Sequence, residues 1–370
     1  MSKARIIALY LPQYHPFKEN DEWWGNGFTE WTNVAKARPL FKGHYQPKIP
    51  TDLGFYDLRI SETRELQAKL AKEAGIEGFC YWHYWFEGHE LMERPFWEVV
   101  NSGKPDFPFC IGWANESWHS KIWNKDGSLA SETKLLIEQT YSEKDDVNHF
   151  NALLNVFKDH RYILVDGEPL VFIHRATLLP EHTLRNWEEM ARENGFPGIH
   201  FVGRIAFNED ANKTKKILLD RGFKAVTVSR LGRYPSDKSI IRRMTRMLWK
   251  TVRFNGCRHV MTYKREMKTM IDPMFDTSPD VYPAIYPNWD HSPRSGRGGL
   301  ILTGSTPQLF EEHVKQVLKE LDSKPESRKI AFVKSWNEWG EGNYLEPDIR
   351  FGRAYLDVLK KQLVDHSRIE

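Results

Sequence analysis

The sequence predicts an α/β fold, a (β/α)8 TIM barrel whose strand-to-helix loops carry long insertions. Three observations predict it. Eight short, β-rich apolar runs are spaced along the 370 residues. Stretches with apolar residues at helical spacing lie between several of them. The residues just past each run are polar and aromatic, at the end of the strands where barrel enzymes hold their chemistry.

The runs come in order at 5–10 (RIIALY), 76–82 (IEGFCYW), 107–113 (FPFCIGW), 169–174 (PLVFIH), 198–203 (GIHFVG), 223–228 (FKAVTV), 281–286 (VYPAIY) and 329–335 (KIAFVKS). They are nearly continuous in apolar residues rather than alternating. That argues for a sheet buried on both faces, hence parallel strands with helical crossovers. The stretch 61–74 puts Leu66, Leu70 and Ala74 on one helical face, with Ser61 as a starting cap and Gly75 as a stop. The stretch 307–322 spaces Leu309, Phe310, Val314, Val317, Leu318 and Leu321 in the same way. No Gly/Ser linker or internal repeat divides the chain, so residues 1–370 read as one domain with insertions at 11–60, 114–165 and 230–280. A doubly wound open sheet is the rival arrangement.

Composition narrows the function classes. With 40% hydrophobic and 28% charged residues, the chain supports a sizeable core. Its 53 basic and 50 acidic residues nearly balance, which argues against a nucleic-acid binder. No apolar run is long enough for a membrane span, and Ile6–Leu11 is too short for a leader core. Cys80, Cys110 and Cys257 are too few for a disulfide scaffold, so free buried thiols in a reducing, cytoplasmic setting are expected. No HExxH or CxxC pair is present, so no zinc is expected, and the lack of a Gly-rich phosphate fingerprint weakens a sugar-nucleotide transferase.

The strand ends carry the candidate site. Tyr14, His15, Trp24 and Trp31 follow the first strand, and Trp82, His83 and Tyr84 end the second. Trp113, Asn115 and Glu116 stand at the third, Arg204 at the fifth, and Tyr286, Trp289, Asp290 and His291 at the seventh. The eighth leads into Trp336, Asn337, Glu338, Trp339 and Glu341. Ten of the 14 tryptophans lie in these segments, where a ligand would sit, so display competes with packing as their role. Sugar rings stack on aromatic faces, and their hydroxyls pair with amides, carboxylates and Arg. Glu338 and Glu341 are three apart. A sharp turn at Gly340 would aim both into one cavity, and glycosidic cleavage requires such a pair of carboxylates.

The motifs LPQYHPFKENDEWWGNGFTEWTNV, HYQPKIPTDLGFYDLR, EGFCYWHYWF, GWANESW, PNWDHSPR and SWNEWGEGNYLEPD resemble the WbsX-type family, and the likeness runs to about residue 352. These are glycoside hydrolase family 99-like proteins, often encoded with bacterial surface-polysaccharide genes. The resemblance implies a (β/α)8 barrel and retaining cleavage of α-glycosidic bonds, with no metal or cofactor required. It implies that Glu338 removes the proton of the sugar's own 2-hydroxyl, which then forms a 1,2-anhydro sugar. Glu341 would protonate the leaving oxygen and then activate water or an acceptor sugar. Family 99 carries His between the Trp and the second Glu, where this chain has Gly340. The implied partner is an oligo- or polysaccharide, free or lipid-linked. Two alternatives stay open: a glycosyltransferase or transglycosylase of O-antigen or capsule assembly, and a catalytically silent glycan-binding protein.

Residues 230–268 hold 12 Lys and Arg against two acids. Within them, 238–254 reads as a basic amphipathic helix that could lie on an anionic membrane. An ordinary surface helix packed on the barrel is the competing reading.

Overall fold

The computed structural model describes residues 4–123, 129–232, 252–257 and 259–365. Its eight barrel strands are β1 (Arg5–Tyr10), β2 (Gly78–Phe86), β3 (Phe109–Trp113), β4 (Glu168–Ile173), β5 (His200–Ile205), β6 (Ala225–Val228), β7 (Ala284–Ile285) and β8 (Ile330–Val333). They pair in parallel in the order β6-β5-β4-β3-β2-β1-β8-β7. A single parallel bridge, Val226 to Val281, spans the remaining gap. There the Val226 amide donates to Asp280 O and the Tyr282 amide to Val226 O, both at 2.8 Å. The sheet is therefore nearly closed into an eight-strand barrel.

Each predicted run holds one of these strands. β2 runs past the predicted end because residues 84–86 also pair antiparallel with His89–Leu91. A helix follows every strand: Ser61–Glu73, Arg94–Ser102, Glu143–Phe157, Glu181–Glu193, Ala211–Asp220, Tyr263–Met270, Pro307–Asp322 and Ala354–Lys360. Three of them start at caps that the sequence reading did not single out: Ser142, Asp210 and Thr306 each accept a hydrogen bond from the backbone three residues on. The helix at 307–322 buries Phe310, Val314, Val317 and Leu321 as its spacing predicts.

The helix at 61–73 corrects its sequence reading. Leu66 is 37% exposed, and the buried stripe is Arg64, Gln67, Ala68, Leu70 and Ala71. Two polar residues face inward because they have partners there. Arg64 pairs with Glu98 at 2.8 Å, while Gln67 accepts from Tyr10 and donates to Glu346. The residue in the cap position is Ile60, and Ser61 is the first helical residue.

Cys80 and Cys110 are register partners on β2 and β3, and both are buried free thiols. The basic helix read over 238–254 falls almost wholly outside the described residues. Among the described residues, no helix is long and apolar enough to cross a membrane.

Candidate active site

Beyond β8 the chain makes a small hairpin, in which Asn337–Glu338 pairs antiparallel with Asn343–Tyr344. The tip is a tight helical turn over Trp339–Glu341, closed by Gly342 at φ +57°. The reversal therefore lies at Gly342, two residues beyond the Gly340 that the sequence suggests. A β-carbon on Gly342 would also come within 2.7 Å of Asp290 Cβ, so both conformation and space favour glycine there. This turn brings Glu338 and Glu341 to the floor of one cavity of about 460 Å³ at the C-terminal mouth of the barrel. Its aromatic wall is Trp24, Phe28, Trp82, Tyr84 and Trp118.

Arg294 ties the floor together. It stands on the short helix Ser292–Ser295 after β7. Its Nη1 donates to Glu341 Oε1 at 2.7 Å, its Nη2 to Glu338 Oε2 at 3.1 Å and its Nε to Glu30 Oε1 at 2.9 Å. Glu30 opens the helix Glu30–Lys36 in the first loop. Three carboxylates thus share one guanidinium, whose fork matches two of them at once.

The sharing is unequal. Burial and repulsion from Glu341 push the Glu338 carboxyl up to about 7, against the pull of Arg294 and Lys334. Burial pushes Glu341 in the same direction, but Arg294 and His291, the latter 3.5 Å away, outweigh it and hold Glu341 below the ordinary carboxylate range. The two carboxyls are thus pushed apart, and Glu338 is the one that holds a proton to the higher pH.

The predicted site residues divide into three groups. Trp24, Trp82, Tyr84 and Glu116 line the cavity with Glu338 and Glu341. His291, Trp289 and Arg204 stand directly behind it. Trp289 lies under the Lys334 ammonium at 5.0 Å, and Arg204 is held by the His174 carbonyl at 3.0 Å.

The remaining residues are packed as support and do not line the cavity. Tyr14 donates to the Asn337 carbonyl and accepts from the Trp339 amide. Asn337 clamps both backbone groups of Leu11. Trp31 donates to Tyr56 O and packs 5.6 Å from Trp339, which in turn stacks on Tyr344. Trp336 packs on Phe79, and Trp113 lies parallel to Trp187. His83 contacts His149, and His15 bonds Pro12 O; burial lowers them to about 3 and about 4. Asn115 braces the Arg175 backbone, and the Tyr286 carbonyl accepts from Tyr263. Asp290 is buried with His44 at 2.9 Å and Gln46 at 2.7 Å, and its amide donates to Glu341 O. Rings expected to display themselves to ligand mostly hold the loops instead, because bulky apolar rings at converging strand ends must be buried.

Sequence reasoning gives no site role to Arg294, Lys334, Phe28, Asn33 or Lys36, and places Glu30 and His174 at strand ends without a task; all seven line the cavity. Glu30, beside Trp31 past the first strand, carried a signal as a carboxylate among aromatics. Arg294 and Lys334 carried none that spacing reveals.

Two comparisons with known proteins bear on the fold. A solved glycoside hydrolase-like protein aligns over 98% of this chain and 94% of its own, with a TM-score of 0.60 and 14% identity. The family 99 endo-α-mannosidase from Bacteroides thetaiotaomicron aligns over 100% and 99%, with a TM-score of 0.57 and 12% identity. Both share the barrel. Curated relatives from two strains of Xanthomonas campestris pv. campestris, each named uncharacterized protein WxcX, are 36% identical over 365 residues. That alignment covers 97% of this chain and 50% of theirs, so the chain spans about half their length. The family model described as Glycosyltransferase WbsX matches residues 6–359, and by that match the chain belongs to the WbsX family.

Proposed function

We propose that this chain is a carbohydrate-active enzyme that cleaves α-glycosidic bonds with retention, using Glu338 and Glu341 as its acid–base pair. The observation that carries this reading is two carboxylates in one cavity sharing Arg294, with environments that push their pKa values apart. Glycoside cleavage needs one carboxyl to give a proton to the leaving oxygen and another to take one. The aromatic wall supplies faces for sugar rings. The family and the barrel support a glycosyl-processing role in general.

In the family 99 scheme, Glu338 removes the 2-hydroxyl proton, that oxygen attacks the anomeric carbon, and Glu341 protonates the departing oxygen. Water then opens the 1,2-anhydro sugar with Glu341 as base. The electrostatics of the pair favour a second assignment. Arg294 and His291 draw Glu341 down, while burial and the Glu341 charge push Glu338 up. With that ordering Glu338 is the acid and Glu341 the base. Activated leaving groups separate the two, since the acid's Gln variant retains activity on a nitrophenyl glycoside while the base's variant does not.

We read residues 1–370 as one catalytic domain of the cytoplasm, acting on surface-polysaccharide precursors, free or lipid-linked, without a cofactor. In this reading 238–254 is its contact with anionic membrane, and failure to sediment with anionic vesicles at low salt would remove that contact. The same cavity accommodates transfer to an acceptor sugar, as the family description suggests. The test is product analysis by NMR on a panel of α-linked bacterial glycans with the parent, Glu338→Gln and Glu341→Gln. An initial α-product lost in either variant supports the reading. A β-product overturns retention, and products formed only when an acceptor is added favour transfer. Tight binding without turnover favours a silent glycan binder.

A further inference from the structure

One cation of the cavity acts on the two glutamates only through its field. Lys334 follows the last residue of β8, and its side chain lines the cavity beside Glu338 and Glu341. Its ammonium lies 5.0 Å from the centre of the Trp289 ring. Among the described residues it has no carboxylate at ion-pair distance and no hydrogen-bond acceptor.

The nearby carboxylates are already engaged. Arg294 holds Glu30, Glu338 and Glu341. Glu116, on the facing wall, has His174 at 3.4 Å and Arg175 at 3.7 Å. Arg204, whose charge reaches Lys334, is held by the His174 carbonyl and by Ser229 Oγ at 3.3 Å rather than by an acid. The cavity is lined by four carboxylates (Glu30, Glu116, Glu338, Glu341) and three cations (Lys36, Arg294, Lys334), and each of those carboxylates already has Arg294 or Arg175 at ion-pair distance. Burial lowers the Lys334 pKa, and the fields of Glu341 and Glu338, which act the other way, do not outweigh it. An ammonium in such a place without a hydrogen-bond acceptor is costly, and an anion from the ligand would supply one.

We infer that the cavity takes an acidic glycan, with the carboxylate of a uronate-type sugar paired to Lys334 beside the two glutamates. The inference rests on reading the cavity as a glycan site. It also goes further than that reading, because a neutral mannoside or glucoside would leave Lys334 unpaired.

The test is calorimetric binding of matched α-linked oligosaccharides, each uronate-containing one against its own carboxyl-reduced, neutral form. The proteins are the full chain, Lys334→Met and Lys334→Arg. The parent is expected to prefer the uronate member by about tenfold or more. Lys334→Met should erase that preference by weakening the uronate member far more than the neutral one, while Lys334→Arg should keep most of it. Equal parent affinity for both members would overturn the inference, as would absence of binding by every uronate. Equal weakening of both members in Lys334→Met would also overturn it, leaving Lys334 as only a field on the glutamates. Binding is read without turnover, so the two readings fail separately. Uronate preference in a chain that cleaves nothing sinks the hydrolase alone, and cleavage with no charge preference sinks this inference alone.

Discussion

Gly340 and Glu30 meet backbone to carboxylate: a β-carbon on Gly340 would overlap Glu30 Oε1 and lie 2.9 Å from Arg294 Nε. The residue that differs from the family 99 pattern is therefore the one that lets Glu30 reach Arg294. A His there would occupy the space of the carboxylate.

Gly340→Ala should consequently destabilise the fold by about 1–3 kcal/mol, the usual cost of forcing atoms into a filled site. Adding Glu30→Ala should return part of that loss, since the overlap is with the Glu30 side chain. A double-mutant cycle by chemical denaturation reads the coupling, and strict additivity would mean that the contact relaxes elsewhere.

Arg294→Met removes the one cation shared by three carboxylates. Breaking a buried ion set costs about 3 kcal/mol, taken at the low end because this side chain is 21% exposed. Activity should fall by more than about a hundredfold as the proton inventory of the pair is lost. Arg294→Lys should restore stability better than activity, because an ammonium supplies charge without the fork. Equal recovery of both would argue that only the charge matters.

The pH dependence follows from Glu338. The one-proton pair exists below about 7, where Glu338 keeps its proton, and above the depressed range of Glu341. The rate on a saturating glycan should therefore fall about tenfold per pH unit above about pH 7. A flat profile to pH 9 would exclude the pair as the proton source. Stability moves in the same direction. The folded state binds this proton more tightly than the unfolded chain, so the contribution is fully present below the ordinary value of 4.5 and is lost as pH rises through about 7.

Glu346 supports the catalytic hairpin from below. Its carboxylate oxygens accept from Tyr56 at 2.8 Å, Gln67 at 2.6 Å and the Trp339 ring at 2.6 Å. Burial nevertheless pushes it up to about 7. Glu346→Leu strands three buried donors and should cost at least about 3 kcal/mol, with Glu346→Gln costing less because it keeps an acceptor. Thermal unfolding of the two variants checks the order. If Leu proves the milder change, packing rather than hydrogen bonding governs this position.

The barrel was legible because its signals are local. Each strand is a short apolar run. The caps Ser142, Asp210 and Thr306 are local too, standing next to the helices they start, though the sequence reading did not single them out. Glu338 and Glu341 were legible for the same reason, being neighbours in a distinctive motif. The pairing of Arg294 with Glu30 was not, since 264 residues separate them and only the closing of the barrel brings them together. The tryptophans misled in part. The residue type says that a ring is large and amphipathic, but not whether, like Trp82, it faces the cavity or, like Trp336, lies under it with no exposure. Leu66 and Gln67 show the limit of spacing: the polar residue went inside because Tyr10 and Glu346 were waiting for it.

The way the Asp290 amide holds the Glu341 carbonyl at 2.6 Å has a consequence for how this protein can diversify. That bond fastens the loop after β7, which carries Arg294, to the loop after β8, which carries both glutamates. The proton machinery sits on this one arc of the rim, pinned by Glu30. Trp82, Tyr84 and Trp118 stand on the opposite arc, on β2 and the third loop. If the proposed function holds, the two glutamates and Arg294 lie on other stretches of chain than Trp82, Tyr84 and Trp118, while Trp24 and Phe28 share the first loop with Glu30. Drift, insertion or exchange in the third loop would then alter part of the wall and leave the glutamates and Arg294 in place, a short route to a new substrate for a gene duplicate.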